Sequence, residues 1–250
     1  MRPIRHFQIC DSTNDEAAKW AQEGAPHGAV VRADAQSRGR GRLGRAWNSP
    51  ADCGLYFSVL ARPQKLALEH AARLTIVAAL ACARGIEEII GRKMNVKWPN
   101  DVVLNERKIG GILCEAHAKE NEIDFAIIGI GINVNFQRDD LPPNVKIPAS
   151  SLLLETRRRW ELDDVLYAVG NQFDTLFDQL QSGAWNALRE EFAARDILQN
   201  RRVRVETPGE IYEGVSDGLD EDGILRVRCQ DETRKVIAGD VTLIVESTPE

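Results

Sequence analysis

The chain has 250 residues, enough to bury a full hydrophobic core and to form one large domain with a small second one. Its 38 acidic and 32 basic residues give a net charge of -6, which disfavours a protein that coats DNA or RNA. The five cysteines are scattered and show no C-x-x-C spacing, so we expect reduced thiols in a cytoplasmic protein, with no zinc or redox site.

Targeting and membrane segments are not expected. The N-terminus lacks an apolar signal segment, and the most apolar run, residues 74–83, is about half the roughly 20 residues that a membrane-spanning helix needs. That run is predicted to be part of a buried helix.

The first part of the chain is predicted to mix helices and strands. Thr13 with Glu16 three positions later is a capping-box pattern, which predicts a helix over about 14–23 that stops at Gly24. The other predicted elements are strands at 28–35 and 54–61, a long apolar helix at 67–90, strands at 95–97, 108–116 and 125–135, a Pro-rich loop at 141–150, and helices at 163–181 and 184–196 separated by Gly183.

The pattern changes at Arg201. Short alternating segments follow, separated by turn dipeptides such as Pro208-Gly209 and Asp222-Gly223, which is typical of a small all-β barrel. We place a domain boundary near Gln199, giving domains 1–199 and 200–250. The predicted strands of the barrel are 202–206, 210–216, 224–229, 235–238 and 241–245.

A loop at 36–45 alternates glycine with Arg38, Arg40, Arg42 and Arg45. Glycine lets backbone N–H groups approach a ligand closely, and guanidinium groups match phosphate and carboxylate oxygens in bidentate geometry. The loop therefore indicates an anion site. A disordered nucleic-acid-binding arm and an inert solvated loop are the alternatives, although apolar segments on both sides of the loop disfavour an arm.

Four further patches carry polar residues or glycines that a packed core does not require. Ser12-Thr13-Asn14 lies at a helix start, where free N–H groups also point, although a helix cap explains Thr13 equally well. The other three patches are Lys97-Trp98-Pro99-Asn100-Asp101, Lys108-Ile109-Gly110-Gly111 and Gly129-Ile130-Gly131-Ile132-Asn133. An ordinary turn explains Trp98 and Pro99 but not Lys97 and Asp101.

Taken together, the strings GRGRLGR, KWPND and KIGGIL resemble those of the biotin protein ligases, from about Asp11 to Asn135 and more loosely beyond. The resemblance implies an α/β (α+β) fold: a mixed-sheet catalytic domain of the class II synthetase and biotin–lipoate ligase type, followed by an SH3-like barrel. Many members carry an N-terminal helix-turn-helix domain that binds DNA. The similarity here begins within about a dozen residues of Met1, so we expect no DNA-binding domain.

The resemblance implies a two-step reaction. Biotin and MgATP form biotinyl-5'-AMP and pyrophosphate, and a lysine of the biotin carboxyl carrier protein, a subunit of acetyl-CoA carboxylase, then takes the biotin and releases AMP. The first step joins two anions, which clustered cations and Mg²⁺ favour. The ligands are therefore ATP, Mg²⁺ and biotin as substrate, with no fixed protein metal site, and we expect a monomer or weak homodimer.

The resemblance also implies roles for individual residues. Asp101 is the candidate for orienting or deprotonating the incoming lysine, and Trp47 is expected to stack on or beside the adenine. The implied catalytic residues are Arg42, Lys108, Asp101 and Lys97. The implied biotin-binding residues are Ser12, Thr13, Asn14, Gln36, Arg40, Gly41, Arg42, Lys108, Gly110 and Gly111. The implied ATP-binding and adenylate-binding residues are Arg40, Arg42, Arg45, Trp47, Lys97, Asn100 and Asn133.

Three alternatives remain open from sequence alone. A lipoate or octanoate transferase of the same superfamily would use the same fold with a different acyl substrate. A biotin sensor without catalysis would be expected to lose Lys108 or Arg42, and both are present. An RNA-binding protein is disfavoured by the acidic balance of the chain.

Overall fold

The structure is a computed structural model that describes residues 2–143 and 147–244. Its larger sheet has seven strands in the order β1-β2-β3-β7-β6-β5-β4. The strands are β1 (Ile4–Cys10), β2 (Val30–Gln36), β3 (Gly54–Ala61), β4 (Asn95–Lys97), β5 (Asp101–Leu104), β6 (Arg107–Lys119) and β7 (Glu122–Asn133). Because β1 pairs with β2 in parallel and the other pairs are antiparallel, the predicted mixed sheet is confirmed.

Helices cover both faces of this sheet. The α-helices are α1 (Thr13–Gln22), α2 (Ala72–Ile90), α3 (Leu152–Thr156), α4 (Leu162–Gln181) and α5 (Trp185–Arg195). Helix α1 packs its alanines Ala17 and Ala21 against Val31 and Ile127 on one face. Helix α2 lies in the main core, together with α4 and the other face of the sheet. This arrangement explains why every residue of β3 is buried.

A glycine sets the distance between α2 and α4. A Cβ at Gly85 would lie 2.7 Å from the backbone N of Val169, so only glycine lets the two helices approach this closely. Helix α2 ends at Gly91, whose φ of +66° is the left-handed C-cap conformation that glycine adopts without strain. The predicted long central helix at 67–90 is confirmed, except that its first turn is a separate 3-10 segment at Leu68–His70.

The C-terminal segment forms a five-stranded antiparallel sheet in the order β11-β10-β9-β8-β12. Its strands are β8 (Arg202–Glu206), β9 (Ile211–Leu219), β10 (Leu225–Arg228), β11 (Thr233–Val236) and β12 (Asp240–Leu243). Two indoles of the larger domain dock it: Trp98 Nε1 donates to Gly223 O at 3.1 Å and Trp185 Nε1 donates to Glu221 O at 2.6 Å. The predicted loop at 141–150 and the predicted strand at 241–245 lie partly outside the described residues.

Several predicted boundaries need correction. Strands β1 and β5 and helix α3 were not predicted. The strand expected at 235–238 begins two residues earlier, at Thr233. The capping box is wrong: Thr13 is the first residue of α1, and the N-cap Ser12 makes no side-chain cap hydrogen bond. Tertiary partners take the Thr13 hydroxyl instead, and Glu16 forms an ion pair with Lys19 at 2.6 Å.

The described part of the chain contains no helix long and apolar enough to cross a membrane. All five cysteines are free thiols, and burial raises the pKa of Cys82 and of Cys114 to about 12. Thiols with such pKa values are protonated at neutral pH, which fits their interpretation as apolar packing groups.

Candidate functional site

A cavity of about 470 Å³ lies where the glycine- and arginine-rich loop at 36–45, called the arginine loop below, meets the mixed sheet and the C-terminal sheet. It brings together most of the residues that the sequence singled out. Those lining it are Ser12, Thr13, Asn14, Gln36, Arg40, Gly41, Arg42, Arg45, Trp47, Lys97, Asn100, Asp101, Lys108, Gly111 and Asn133. Five segments far apart in sequence therefore form one site.

Gly110 is an exception among the predicted biotin-binding residues, because it does not line the cavity. A Cβ on Gly110 would lie 2.8 Å from Gly131 O in the neighbouring strand. Glycine at this position therefore avoids a clash between the paired strands β6 and β7. Of Gly110 and Gly111, only Gly111 borders the cavity.

Hydrogen-bonding groups line one end of the cavity, which we call the polar end: Ser12, Thr13, Asn14 and Gln36. All of them except Gln36 are almost fully buried. Gln36 Oε1 accepts the backbone N–H of Thr13 at 2.8 Å, and its Nε2 donates to Ser49 Oγ at 2.9 Å. These bonds hold the amide of Gln36 in one orientation beside the start of α1.

Two residues at the polar end were missed by sequence reasoning. Ser58 on β3 places its Oγ 2.6 Å from Asn14 Oδ1 and 2.8 Å from Thr13 Oγ1. Glu115 on β6 accepts from Asn14 Nδ2 at 2.5 Å. Neither stands in a glycine-rich or charged motif, and only the pairing of distant strands brings them to Asn14.

Two arginines of the arginine loop bind carboxylates of other elements. The Arg40 guanidinium bonds Asp15 at 2.7 Å and both oxygens of Glu115 at 3.1 Å. The Arg45 guanidinium forms an ion pair with Asp240 of the C-terminal sheet. Arg38 lies outside the cavity lining, with a side chain 80% exposed. Two of the predicted anion ligands, Arg40 and Arg45, are therefore paired with carboxylates of the protein.

Arg42 lines the cavity beside Asn100 of the KWPND motif. Its Nη1 lies 3.5 Å from Asn100 Oδ1, and burial lowers the pKa of Arg42, against the raising effect of nearby Asp101. Leu43 beside it has φ of +57°, a left-handed conformation that is strained for leucine, and its side chain is 59% exposed.

Lys97, Asp101 and Lys108 form a charge cluster in which Lys97 and Asp101 are buried and Lys108 is partly exposed. Lys97 Nζ lies 3.8 Å from Asp101 Oδ2, and Lys108 Nζ forms an ion pair with the other carboxylate oxygen. The side chains of Lys97 and Asp101 are 7% and 10% exposed. Burial lowers the pKa of Lys97, and Asp101 opposes that effect. Two cations share one carboxylate, so the cluster keeps a net positive charge for an anion.

Trp47 lies flat against glycines of the sheet. A Cβ on Gly131 would lie 2.5 Å from Trp47 Nε1, and one on Gly111 would lie 3.2 Å from its Cζ3. Lys108 Nζ is 5.4 Å from the indole ring centroid, within cation–π range. The Nε1 donor is buried and has no hydrogen-bond partner among the described residues. A buried donor of this kind is suited to a ligand acceptor.

Two asparagines brace the walls of the cavity. Asn100 Nδ2 donates to Ile112 O at 2.7 Å, which leaves its Oδ1 facing Arg42. Asn133 Nδ2 donates to Ser150 O at 3.0 Å, which ties the end of β7 to the segment before α3. Both predicted nucleotide ligands therefore also have a structural bond.

The C-terminal sheet supplies a wall that the sequence did not reveal. The segment 239–242 lines the cavity, including Asp240, the partner of Arg45. Its only local signal is Gly239, which stands between the predicted strands 235–238 and 241–245 and marks a turn. Within residues 2–143 and 147–244, no group of three or more His, Cys, Asp or Glu side chains is placed to hold a metal ion.

Comparison with known proteins identifies the family. The model described as the biotin/lipoate A/B protein ligase family matches residues 6–133, and that described as the biotin protein ligase C terminal domain matches 199–243. The bifunctional ligase/repressor BirA of Bacillus spizizenii is 32% identical over 235 residues, which cover 94% of this chain and 72% of that protein. The biotin–[acetyl-CoA-carboxylase] ligase of Paracoccus denitrificans is 33% identical over 222 residues, covering 87% and 91%.

Solved structures agree with these relatives. A biotin protein ligase from Aquifex aeolicus in complex with biotin and ATP superposes with a TM-score of 0.82 at 28% identity, covering 98% of this chain and 99% of that chain. The predicted fold, a mixed-sheet domain followed by an SH3-like β-fold, is confirmed by this match and by the C-terminal domain match. From its sequence, its fold and its relatives, the chain belongs to the biotin/lipoate A/B protein ligase family.

Proposed function

We propose that the protein is an ATP-dependent biotin protein ligase, which makes biotinyl-5'-AMP and transfers biotin to a lysine of a carboxyl carrier domain. The observation that carries this proposal is the polarity of one cavity: a neutral hydrogen-bonding end and a cationic end. Biotin has the matching polarity, with a neutral ureido ring at one end and a carboxylate at the other.

In the first step, a carboxylate oxygen of biotin attacks the α-phosphorus of ATP, and the bond from that phosphorus to the bridging oxygen breaks to release pyrophosphate. Two unit negative charges 4 Å apart repel by about 4 kcal/mol at an effective dielectric constant of about 20. Arg42, Lys97 and Lys108 face the place where the anions meet and offset this repulsion. Mg²⁺ enters with the nucleotide as part of the substrate MgATP.

In the second step, a carrier lysine attacks the acyl carbon, the bond to the phosphate oxygen breaks, AMP leaves and the amine loses a proton. Asp101 is the candidate group for receiving the amine. Two lysines already contact its carboxylate and leave the cluster net positive, so Asp101 is proposed to orient the neutral amine by accepting a hydrogen bond from it. Free lysine has a pKa near 10.4, so it must lose a proton before it attacks.

Trp47 and the wall at 239–242 are proposed to hold the nucleotide. The indole offers a flat face and an unpaired N–H donor beside Lys108, which suits an adenine or ribose acceptor. The ion pair between Arg45 and Asp240 closes the arginine loop over that region. The loop is therefore proposed to act as a lid that retains the reactive adenylate.

A lipoate ligase is not favoured. The comparisons reported above name biotin protein ligases, although the family description covers both acyl groups. The dithiolane ring of lipoate has no N–H or carbonyl group, so the four residues of the polar end would gain no strong hydrogen bond from it. An RNA-binding function is also disfavoured, because Arg40 and Arg45 are paired with carboxylates.

The acetyl-CoA carboxylase carrier is proposed as the protein substrate by analogy with the Paracoccus relative, whose name specifies that enzyme. The domain limits 1–199 and 200–250, the individual residue roles and the oligomeric state remain proposals with it.

The test is a transfer assay with purified protein, biotin, MgATP and a biotin carboxyl carrier domain, followed by intact-mass analysis. The expected result is a carrier heavier by one biotinyl group, formed with biotin but not with lipoate. Arg42→Gly provides the test of the lid: we expect this variant to release adenylate and to biotinylate bystander lysines. Lipoylation of the carrier, or no modification, would contradict the proposal.

A further inference from the structure

Ser58 is the least expected polar group near the cavity. It sits in the centre of β3, is fully buried, and does not itself line the cavity. Its Oγ lies 2.6 Å from Asn14 Oδ1 and 2.8 Å from Thr13 Oγ1, both of which belong to residues that do line it. Any effect of Ser58 on a ligand must therefore pass through these two neighbours.

The orientation of the Asn14 amide is fixed by acceptors alone. Its nitrogen lies 3.3 Å from Leu113 O and 2.5 Å from Glu115 Oε2, and carbonyl and carboxylate oxygens both accept hydrogen bonds. Arg40 holds that carboxylate in place through both of its oxygens. The nitrogen of Asn14 must therefore face β6, so its oxygen faces Ser58.

The space around the amide supports the same orientation. A Cβ at Gly129 would lie 2.2 Å from Asn14 Oδ1, so the amide fills the slot above this glycine. Rotation of the side chain out of the slot would break its bonds to Leu113 and Glu115.

Counting protons then sets the direction of each remaining bond. Ser58 has one hydroxyl proton, and Asn14 Oδ1 can only accept, so Ser58 donates to Asn14. The 2.8 Å contact between the two hydroxyls then requires the proton of Thr13. Gln36 Oε1 also lies within reach of the Thr13 hydroxyl, but at 3.2 Å this contact is longer than the 2.8 Å contact to Ser58, so the Ser58 contact takes the proton.

We infer that the hydrogen-bonded chain Glu115–Asn14–Ser58–Thr13 makes the polar end of the cavity an acceptor, and that Ser58 is a positioning residue that selects a ligand head with N–H donors. With its proton committed to Ser58, Thr13 offers only lone pairs to the ligand. The inference rests on the proposed function and deepens it: a ureido ring supplies N–H donors, whereas a dithiolane ring supplies none. Sites built around a specific hydrogen bond reject analogues that lack its partner.

The first experiment compares Ser58→Ala with Ser216→Ala as a matched control. Ser216 is also fully buried, lies in the C-terminal sheet, and its Oγ has no hydrogen-bond partner among the described residues. We expect Ser58→Ala to raise the KM for biotin about tenfold, while kcat and the KM for ATP stay within about twofold of wild type. The control should leave all three parameters unchanged.

The second experiment tests whether Ser58 acts through Thr13. In a Thr13→Val background, Ser58→Ala should raise the KM for biotin less than about twofold more, because the group that it orients is gone. An effect of Ser58→Ala that is as large in this background as in wild type would overturn the inference.

The third experiment reads the polarity itself, with the two cyclic carbamate analogues of biotin in which one ureido N–H is replaced by oxygen. We expect at least one analogue to bind wild type more than about tenfold more weakly than biotin, and this ratio to shrink in Ser58→Ala, where Thr13 is free to donate. The ratio is taken within one variant, so partial unfolding does not affect it. Equal ratios in both proteins would overturn the inference, whereas failure of wild type to adenylate biotin would overturn the proposed function as well.

Discussion

Replacing Gly131 with alanine tests whether Trp47 holds the nucleotide. The added Cβ would lie 2.5 Å from Trp47 Nε1 and 2.6 Å from its Cε2, whereas ordinary contact begins at 3.4 Å. The backbone at Gly131 lies in β7 and has no positive φ, so the clash is the whole effect. The indole must therefore move by roughly 1 Å, and overpacking of this kind costs about 1–3 kcal/mol.

If this cost of about 1–3 kcal/mol weakens nucleotide binding, the KM for ATP rises by between about fivefold and a hundredfold, while the KM for biotin changes little. Pyrophosphate release at varied ATP concentration measures this. Gly209→Ala is the control, since a Cβ there meets nothing within 4 Å. In a Trp47→Ala background Gly131→Ala should add almost no further effect. A wild-type KM for ATP in Gly131→Ala would refute the role of Trp47.

Three other predictions concern charges. Lys108→Gln should lower kcat for pyrophosphate release at least about a hundredfold, because a cation facing the reacting anions is lost. The control Lys119→Gln, on the same strand, should keep the wild-type kcat. Equal rates in the two variants would count against the role of Lys108. Burial raises the pKa of Asp196 to about 6, so the folded state binds its proton more tightly than the unfolded state and wild type loses stability as pH rises from about 4 to 6. Asp196→Asn should lack this loss, a difference of up to about 3 kcal/mol that chemical denaturation at several pH values will show, and parallel pH curves would disprove it. Finally, tryptic cleavage at residues 38–45 should decrease when biotin and MgATP are added. It should increase in ligand-free Arg45→Ala, because this variant loses the ion pair to the C-terminal sheet. Cleavage that is the same with and without ligands would rule out a lid.

Periodicity revealed the elements that are buried and long. The apolar run in α2 and the fully buried strand β3 were predicted with nearly correct limits, since burial on several faces leaves an unmistakable pattern. The edge strand β1 is mostly exposed, so its sequence does not alternate in the way a half-buried strand does. Strand β5 has only four residues and begins at Asp101, inside the KWPND motif, so it has too few residues to show a strand pattern.

The candidate site was predicted unevenly for a physical reason. Glycine and arginine strings are unusual in a packed chain, so they marked the loop and the cationic end of the cavity. Ser58 lies in an apolar strand, and Glu115 is 101 positions from Asn14, so only strand pairing shows that they belong to the site. The direction of Arg40 was likewise not predictable, because its carboxylate partners come from α1 and β6.

The most direct measurement mixes the purified protein with biotin and MgATP, without any carrier, and identifies the bound product by mass spectrometry. The account predicts stoichiometric biotinyl-5'-AMP with one pyrophosphate released per protein, because the cationic end of the cavity joins the two anions and the closed loop retains the product. Pyrophosphate release that is independent of biotin, or no acyl-adenylate at saturating substrates, would contradict it.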